Sequence, residues 1–210
     1  MEKFEFNLDP KEARQAWSDE DRPGNITATG AYRGTLTDAF VYESKNGALM
    51  LRLEFRSNDN LFASLDTCIR KRNGEKAFGM SKLHALLTVL RERSVVTQTV
   101  PNVPVFGQNH KQTVGRLTKL INRPVGLFLR AVHDPNRQKY PDSVELIIPF
   151  DPETDLTASE ILDRTDPAQI AHLAETVTDR DVPLRDPFES PAPTSGAPDI
   201  QDSPADDVPF

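Results

Sequence analysis

Apolar and polar positions alternate most cleanly after residue 48. Leu49, Leu51, Leu53 and Phe55 interleave with Met50, Arg52, Glu54 and Arg56. That period of two buries one face of a strand and leaves the other to solvent. Just before it, Ser44-Lys45-Asn46-Gly47 reads as a hairpin turn, because Asn-Gly accepts the positive φ that tight hairpins need. Ile26–Glu43, rich in Thr, Ala, Tyr and Val, then reads as a long first strand. Tyr32, Phe40 and Tyr42 disagree in parity with Ala39 and Val41, which predicts a bulge within it. After a second turn at Ser57–Asn60, a third strand sets Leu61, Ala63, Leu65 and Ile69 against Phe62 and Arg70, and it closes in the basic loop Arg70–Gly74.

Over Met80–Arg93 the period changes. Leu83, Leu86, Leu87 and Leu90 form one stripe of an amphipathic helix, with Ser81 as N-cap and Arg91 and Arg93 at the C-terminal end. Val95–Gln112 holds Pro101, Pro104 and Gly107 and reads as an irregular excursion; Thr113–Asn122 reads as a short helix or turn. A fourth strand sets Val125, Leu127, Leu129 and Ala131 against Phe128, Arg130 and Val132; after a polar loop, Ser143–Phe150 is a fifth. The chain is therefore expected to be mainly β with one α-helix. Five strands with a helix between the third and fourth predict an OB-fold-like barrel over residues 25–150. Residues 1–24, with Trp17 and a helix over Pro10–Trp17, form an N-terminal arm. Thr157-Ala-Ser-Glu160 has the form of a capping box and Asp166-Pro167 that of a helix start, so 151–177 is a short helical extension. Residues 178–210, dense in proline and acids, bury too little apolar surface to offset chain entropy and are expected to be a disordered acidic tail.

Charge changes the picture more than composition does. The net charge of −7 hides 18 Lys and Arg against 8 Asp and Glu over residues 30–140, and 3 against 15 over 151–210. A basic domain with an acidic tail is an asymmetry of nucleic-acid binders. No apolar run approaches a membrane span, no signal peptide is evident, and one cysteine, Cys68, fits a reducing cytoplasmic setting.

The alternation points Arg52, Arg56, Phe62, Arg70, Phe128 and Arg130 away from the core. Lys71, Arg72, Arg137, Lys139 and Tyr140 lie in loops that would flank the same groove. Cations that meet phosphates, interleaved with aromatic rings that stack on bases, are the mixture that holds single strands. Tyr32 and Tyr42 are weaker candidates. Catalytic constellations are missing. The four histidines are scattered, and the chain has no phosphate-cradling Gly-rich loop and no nucleophile elbow. Neither an enzyme nor a cofactor or metal is expected.

The chain ends Asp206-Asp207-Val208-Pro209-Phe210. A ring beside a carboxylate, stiffened by proline, suits a small hydrophobic pocket rimmed by cations in a partner. This segment resembles the acidic tip of bacterial single-stranded DNA-binding proteins. That family carries an N-terminal OB-fold and recruits replication, recombination and repair enzymes through the tip. The turn at Glu43–Gly47 followed by Leu49–Phe55 is similar to phage-encoded single-stranded DNA-binding proteins. The resemblance implies a non-enzymatic protein that coats single-stranded DNA and presents its tip to partner enzymes in the bacterial cytoplasm. The sequence leaves the oligomeric state open. It also leaves two alternatives: an accessory protein of recombination or replication acting through protein partners, and a nuclease regulator.

Overall fold

The computed structural model describes residues 24–105, 111–137 and 141–184. Most of the expected N-terminal arm, the loop residues Lys139 and Tyr140, and the tail from residue 185, with the tip Asp206–Phe210, lie outside the described residues.

The first three strands form a meander: β1 (Gly30–Glu43), β2 (Leu49–Ser57) and β3 (Phe62–Arg70), each antiparallel to the next. Gly47, at φ 77°, and Asn60, at φ 63°, make the two turns, as the Asn-Gly and Asn-rich sequences require. The expected bulge in β1 falls between Leu36 and Asp38. The helix is shorter than its leucine stripe predicts: α1 runs Gly79–Val89 and stops at Arg91, which takes a left-handed φ of 58°. Phe78, not Ser81, is its N-cap, and the Ser81 hydroxyl instead donates back to the Phe78 carbonyl at 2.7 Å.

The excursion read as irregular and the start of the segment read as a short helix or turn form a hairpin, β4 (Gln98–Pro104) and β5 (Lys111–Arg116). Pro101 and Pro104 read as breakers, yet among the described residues β4 pairs only with β5, and an edge strand has no second ladder for proline to interrupt. A register shift between Val100 and Val103, with Asn102 at φ 60°, absorbs the irregularity. A 3-10 turn at Thr118–Leu120 leads into β6 (Pro124–His133), which pairs with β7 (Asp142–Phe150).

The start of the expected tail is ordered: Arg180–Asp181 is a short strand, β8, parallel to β6, and the Val182 amide donates to the His133 carbonyl at 2.8 Å. Between them lie α2 (Ala158–Asp163) and α3 (Gln169–Thr176). Among the described residues the one sheet has eight strands against an expected five, while the three α-helices are the one expected between β3 and the next strand and two in the expected helical extension over 151–177. The protein is mainly β, and every strand pair but β6–β8 is antiparallel.

The order β3-β2-β1-β6-β7 runs continuously through the sheet, and α1 packs against both outer strands, β3 and β7. Inside lies one core built on Leu36, Leu51, Leu53, Phe55, Leu65, Leu86, Leu120, Leu127 and Leu129. A second, smaller core forms outside β6, where Phe128 and Phe150 meet Ile170 of α3. A Cβ at Gly126 would lie 2.2 Å from the Phe150 ring, so glycine is what lets that ring lie flat on β6.

The capping box holds, and it does more than start a helix. Glu160 is 4% exposed and accepts from the Thr157 amide and hydroxyl, both at 2.8 Å, and from the Ala168 and Gln169 amides at 2.7 and 2.8 Å. Burial alone would raise its pKa; these four donors outweigh burial and hold it at about 2. The carboxylate ties the start of α2 to the start of α3. A folded pKa below the unfolded value gives stability that is present at neutral pH and lost as pH falls from the unfolded value near 4.5 through about 2. Glu160→Gln is expected to lower unfolding stability by on the order of 3 kcal/mol at neutral pH. Urea unfolding across this range checks it: the two chains should converge as pH falls toward 2, and a constant difference contradicts the assignment.

Candidate nucleic-acid interface

The outer face of β2 and β3 carries Arg52, Arg56, Phe62 and Arg70 of the residues singled out by alternation, and around Arg52 it is not an open basic surface. Arg52 is 3% exposed. Its Nε donates to Asp66 Oδ1 at 2.9 Å and its other nitrogen pairs with Asp66 Oδ2, while Glu54 lies 4.0 Å away. The guanidinium stands 5.6 Å over the ring of Tyr42, whose hydroxyl donates to Asp66 Oδ1 at 3.0 Å. Burial first, then the charge and hydrogen bond of Asp66, push the Tyr42 pKa up to about 12. Beside this knot Arg116 pairs with Asp38 at 2.8 Å. Burial also pushes Glu54 above the usual carboxylate range, opposed by its bond from Ser64 and by Arg52. The patch thus holds two arginines against Asp38, Glu54 and Asp66.

The β4–β5 hairpin covers part of it. Val105 and Val114 pack on Phe40 and Tyr42, with Met50, Val100 and Val103 around them. The alternation could not show this: parity says which way Arg52 points, not that Tyr42, Asp66 and Glu54 meet it there. Phe128 is corrected for the same reason, since it is fully buried under α3 rather than exposed for stacking.

The remaining predicted residues divide by their partners. Arg130 is half-buried and held by Glu145 through two nitrogens. Lys71 pairs with Glu75 at 3.1 Å and Arg137 with Asp134 at 3.3 Å, and both cations are exposed. Exposed pairs are worth about 0–1 kcal/mol, so a phosphate can displace their carboxylates. The Arg52 guanidinium is buried, and leaving a buried charge unpaired is costly, so Arg52 stays with Asp66 although Asp66 itself is exposed. Arg56 is exposed, bonded to Asn60 Oδ1 at 2.6 Å and in register with Phe62, which is half-buried.

Arg70 and Arg72 are exposed, and among the described residues neither has an ion-pair partner. Two cations that the alternation missed, Lys45 and Lys76, are in the same condition. They converge from two loops. The aliphatic stem of Arg72 lies on the β1–β2 turn, 3.3 Å from where a Cβ on Gly47 would stand, and Lys76 is bridged to Arg70 across the β3–α1 loop. Loops carry no periodicity, so only the charge run Arg70–Arg72 signalled this end of the sheet. The ring of Phe78, which follows that loop, is 79% exposed.

The described part of the β6–β7 loop is less basic than expected. His133 Nδ1 lies 2.7 Å from Asp142, whose hydrogen bond raises the histidine pKa, with Asp181 and Asp134 adding to it. Asn136 donates to the Pro183 carbonyl at 3.0 Å, so the outgoing chain runs beside this loop. Among the described residues no group of three or more His, Cys, Asp or Glu side chains is placed to hold a metal ion, and no helix is long and apolar enough to cross a membrane. The chain matches no protein-family model and no curated protein.

Proposed function

We propose that the protein binds single-stranded DNA with little sequence preference, along the basic end formed by the β1–β2 turn and the β3–α1 loop. One observation carries this reading: Lys45, Arg70, Arg72 and Lys76 gather there and have no ion-pair partner among the described residues, while Arg52, Arg116 and Arg130 are held in ion pairs. Uncompensated cations condense on phosphates and release counterions, which is the main source of sequence-independent affinity. Lys71 and Arg56 flank the same strands and extend the path, exchanging weak local partners for phosphates. The order β3-β2-β1-β6-β7, with α1 across β3 and β7, supports an OB-fold arrangement elaborated by the β4–β5 hairpin.

In this reading the protein works on single strands exposed during replication, recombination or repair in the bacterial cytoplasm. The Asp206–Phe210 segment recruits the enzymes that act next. The acidic residues beyond 150 keep that segment off nucleic acid and available to a basic pocket on a partner.

Affinity for an oligo-dT strand is expected to exceed that for a duplex of equal length, and to fall steeply with salt. Arg70→Ala, Arg72→Ala and Lys76→Ala combined should weaken binding at least tenfold at low salt and reduce the slope of log K against log salt by about 2, at about 0.7 per phosphate contact on single strands. Fluorescence anisotropy over a salt series measures both. A wild-type chain that does not bind oligo-dT at low salt, or a triple variant with an unchanged slope, contradicts the proposal. Deleting Phe210 should leave oligo-dT affinity unchanged while abolishing capture of purified replication or repair enzymes. Retained capture would remove the recruiting role of the tip.

A further inference from the structure

We infer that Phe78 is a base-stacking platform at the basic end of the sheet. This rests on the single-stranded DNA reading above and adds to it the residue that meets the bases rather than the phosphates.

Phe78 is 79% exposed, although burying such a ring is worth about 1.5–3 kcal/mol. Val96, Leu162 and Leu184 are comparably exposed, but they are aliphatic and have no flat face to offer a base. The position of Phe78 is held from both sides of its backbone. Ahead of it, the Ala77 amide donates to the Ile69 carbonyl at 3.1 Å. Behind it, Gly79 sits so close to β3 that a Cβ there would lie 2.4 Å from the Cys68 carbonyl oxygen and 2.5 Å from Thr67 Oγ1.

The ring itself is steadied by Lys82, one turn along α1. The Lys82 ammonium stands 5.1 Å from the ring centroid and is anchored by a hydrogen bond to the Leu146 carbonyl of β7. A cation on one face leaves the other open, and an aromatic already ordered loses little freedom when a base stacks on it. Lys76, just before it in the loop, and Arg70, at the end of β3, have no ion-pair partner among the described residues. That surrounding charge favours a nucleic acid over an apolar protein partner, since a base on the ring brings its phosphate toward those cations.

The test compares Phe78→Ala, Phe78→Leu and Phe78→Tyr with the wild-type full chain on oligo-dT and on an abasic strand of the same length. Stacking predicts a loss of about tenfold for the Ala and Leu variants on oligo-dT, near-wild-type binding for Tyr, and no difference among the four on the abasic strand. The salt slope should not change, because no phosphate contact is removed. If the wild type binds oligo-dT and Phe78→Ala binds equally well, the inference fails and the single-strand reading stands. Loss of a protein partner without loss of DNA affinity would reassign the ring to a docking surface and overturn the inference. Equal loss on both strands would reduce the ring to shaping the loop. Failure of the wild type to bind oligo-dT would sink both. Unchanged urea unfolding of Phe78→Ala, expected for so exposed a ring, shows that folding is not the cause.

Discussion

The arrangement depends on how β1 divides its edges. At fourteen residues it is long enough to pair with β2 along one edge over Gly34–Glu43 and to share the other between β6, at Gly30–Thr35, and β5, at Phe40–Val41. A straight strand could not serve three partners. The bulge between Leu36 and Asp38 turns it where the second edge changes hands. The first half of β1 thereby closes the main core with β6, and the second half holds the β4–β5 hairpin over the outer face.

Pairing decides which charges remain available. Arg52 is buried and held by Asp66, and Arg116 is held by Asp38, with Glu54 beside them. Two arginines set against three carboxylates leave that patch no net positive charge to offer an anion. The loops at the end of the same strands are exposed, their cations cost nothing to leave unpaired in water, and they keep their charge for a ligand. The same division gives the protein a rigid middle and a solvent-exposed, cationic end.

Strands with one buried face were legible because a period of two reports burial directly: Leu51, Leu53, Phe55, Leu65, Leu127 and Leu129 all face the main core as their alternation predicts. What lay over the other face was not legible. Arg52 and Phe128 have the right parity to face solvent, yet Arg52 is enclosed by Asp66, Glu54 and Tyr42 of its own sheet, and Phe128 is covered by α3, distant in sequence. The β4–β5 hairpin was hidden by Pro101 and Pro104, which exclude a central strand but not an edge one. The capping box at Thr157–Glu160 was legible as a helix start, but its reach to Ala168 and Gln169 depends on tertiary folding. Within the candidate site, Arg70, Lys71 and Arg72 stood out as a charge run, whereas Lys45, Lys76 and Phe78 are single residues that matter only because a turn and a loop meet.

On the proposed reading, nucleic acid meets the β1–β2 turn and the β3–α1 loop, not the middle of the β2–β3 face. Titrating isotope-labelled protein with oligo-dT and following backbone amide shifts by NMR tests it most directly. The account predicts the largest shifts at residues 44–48 and 70–78, with Arg52, Glu54 and Asp66 little changed. Shifts centred on residues 50–56 and 62–66, or none on saturation with oligo-dT, would contradict it.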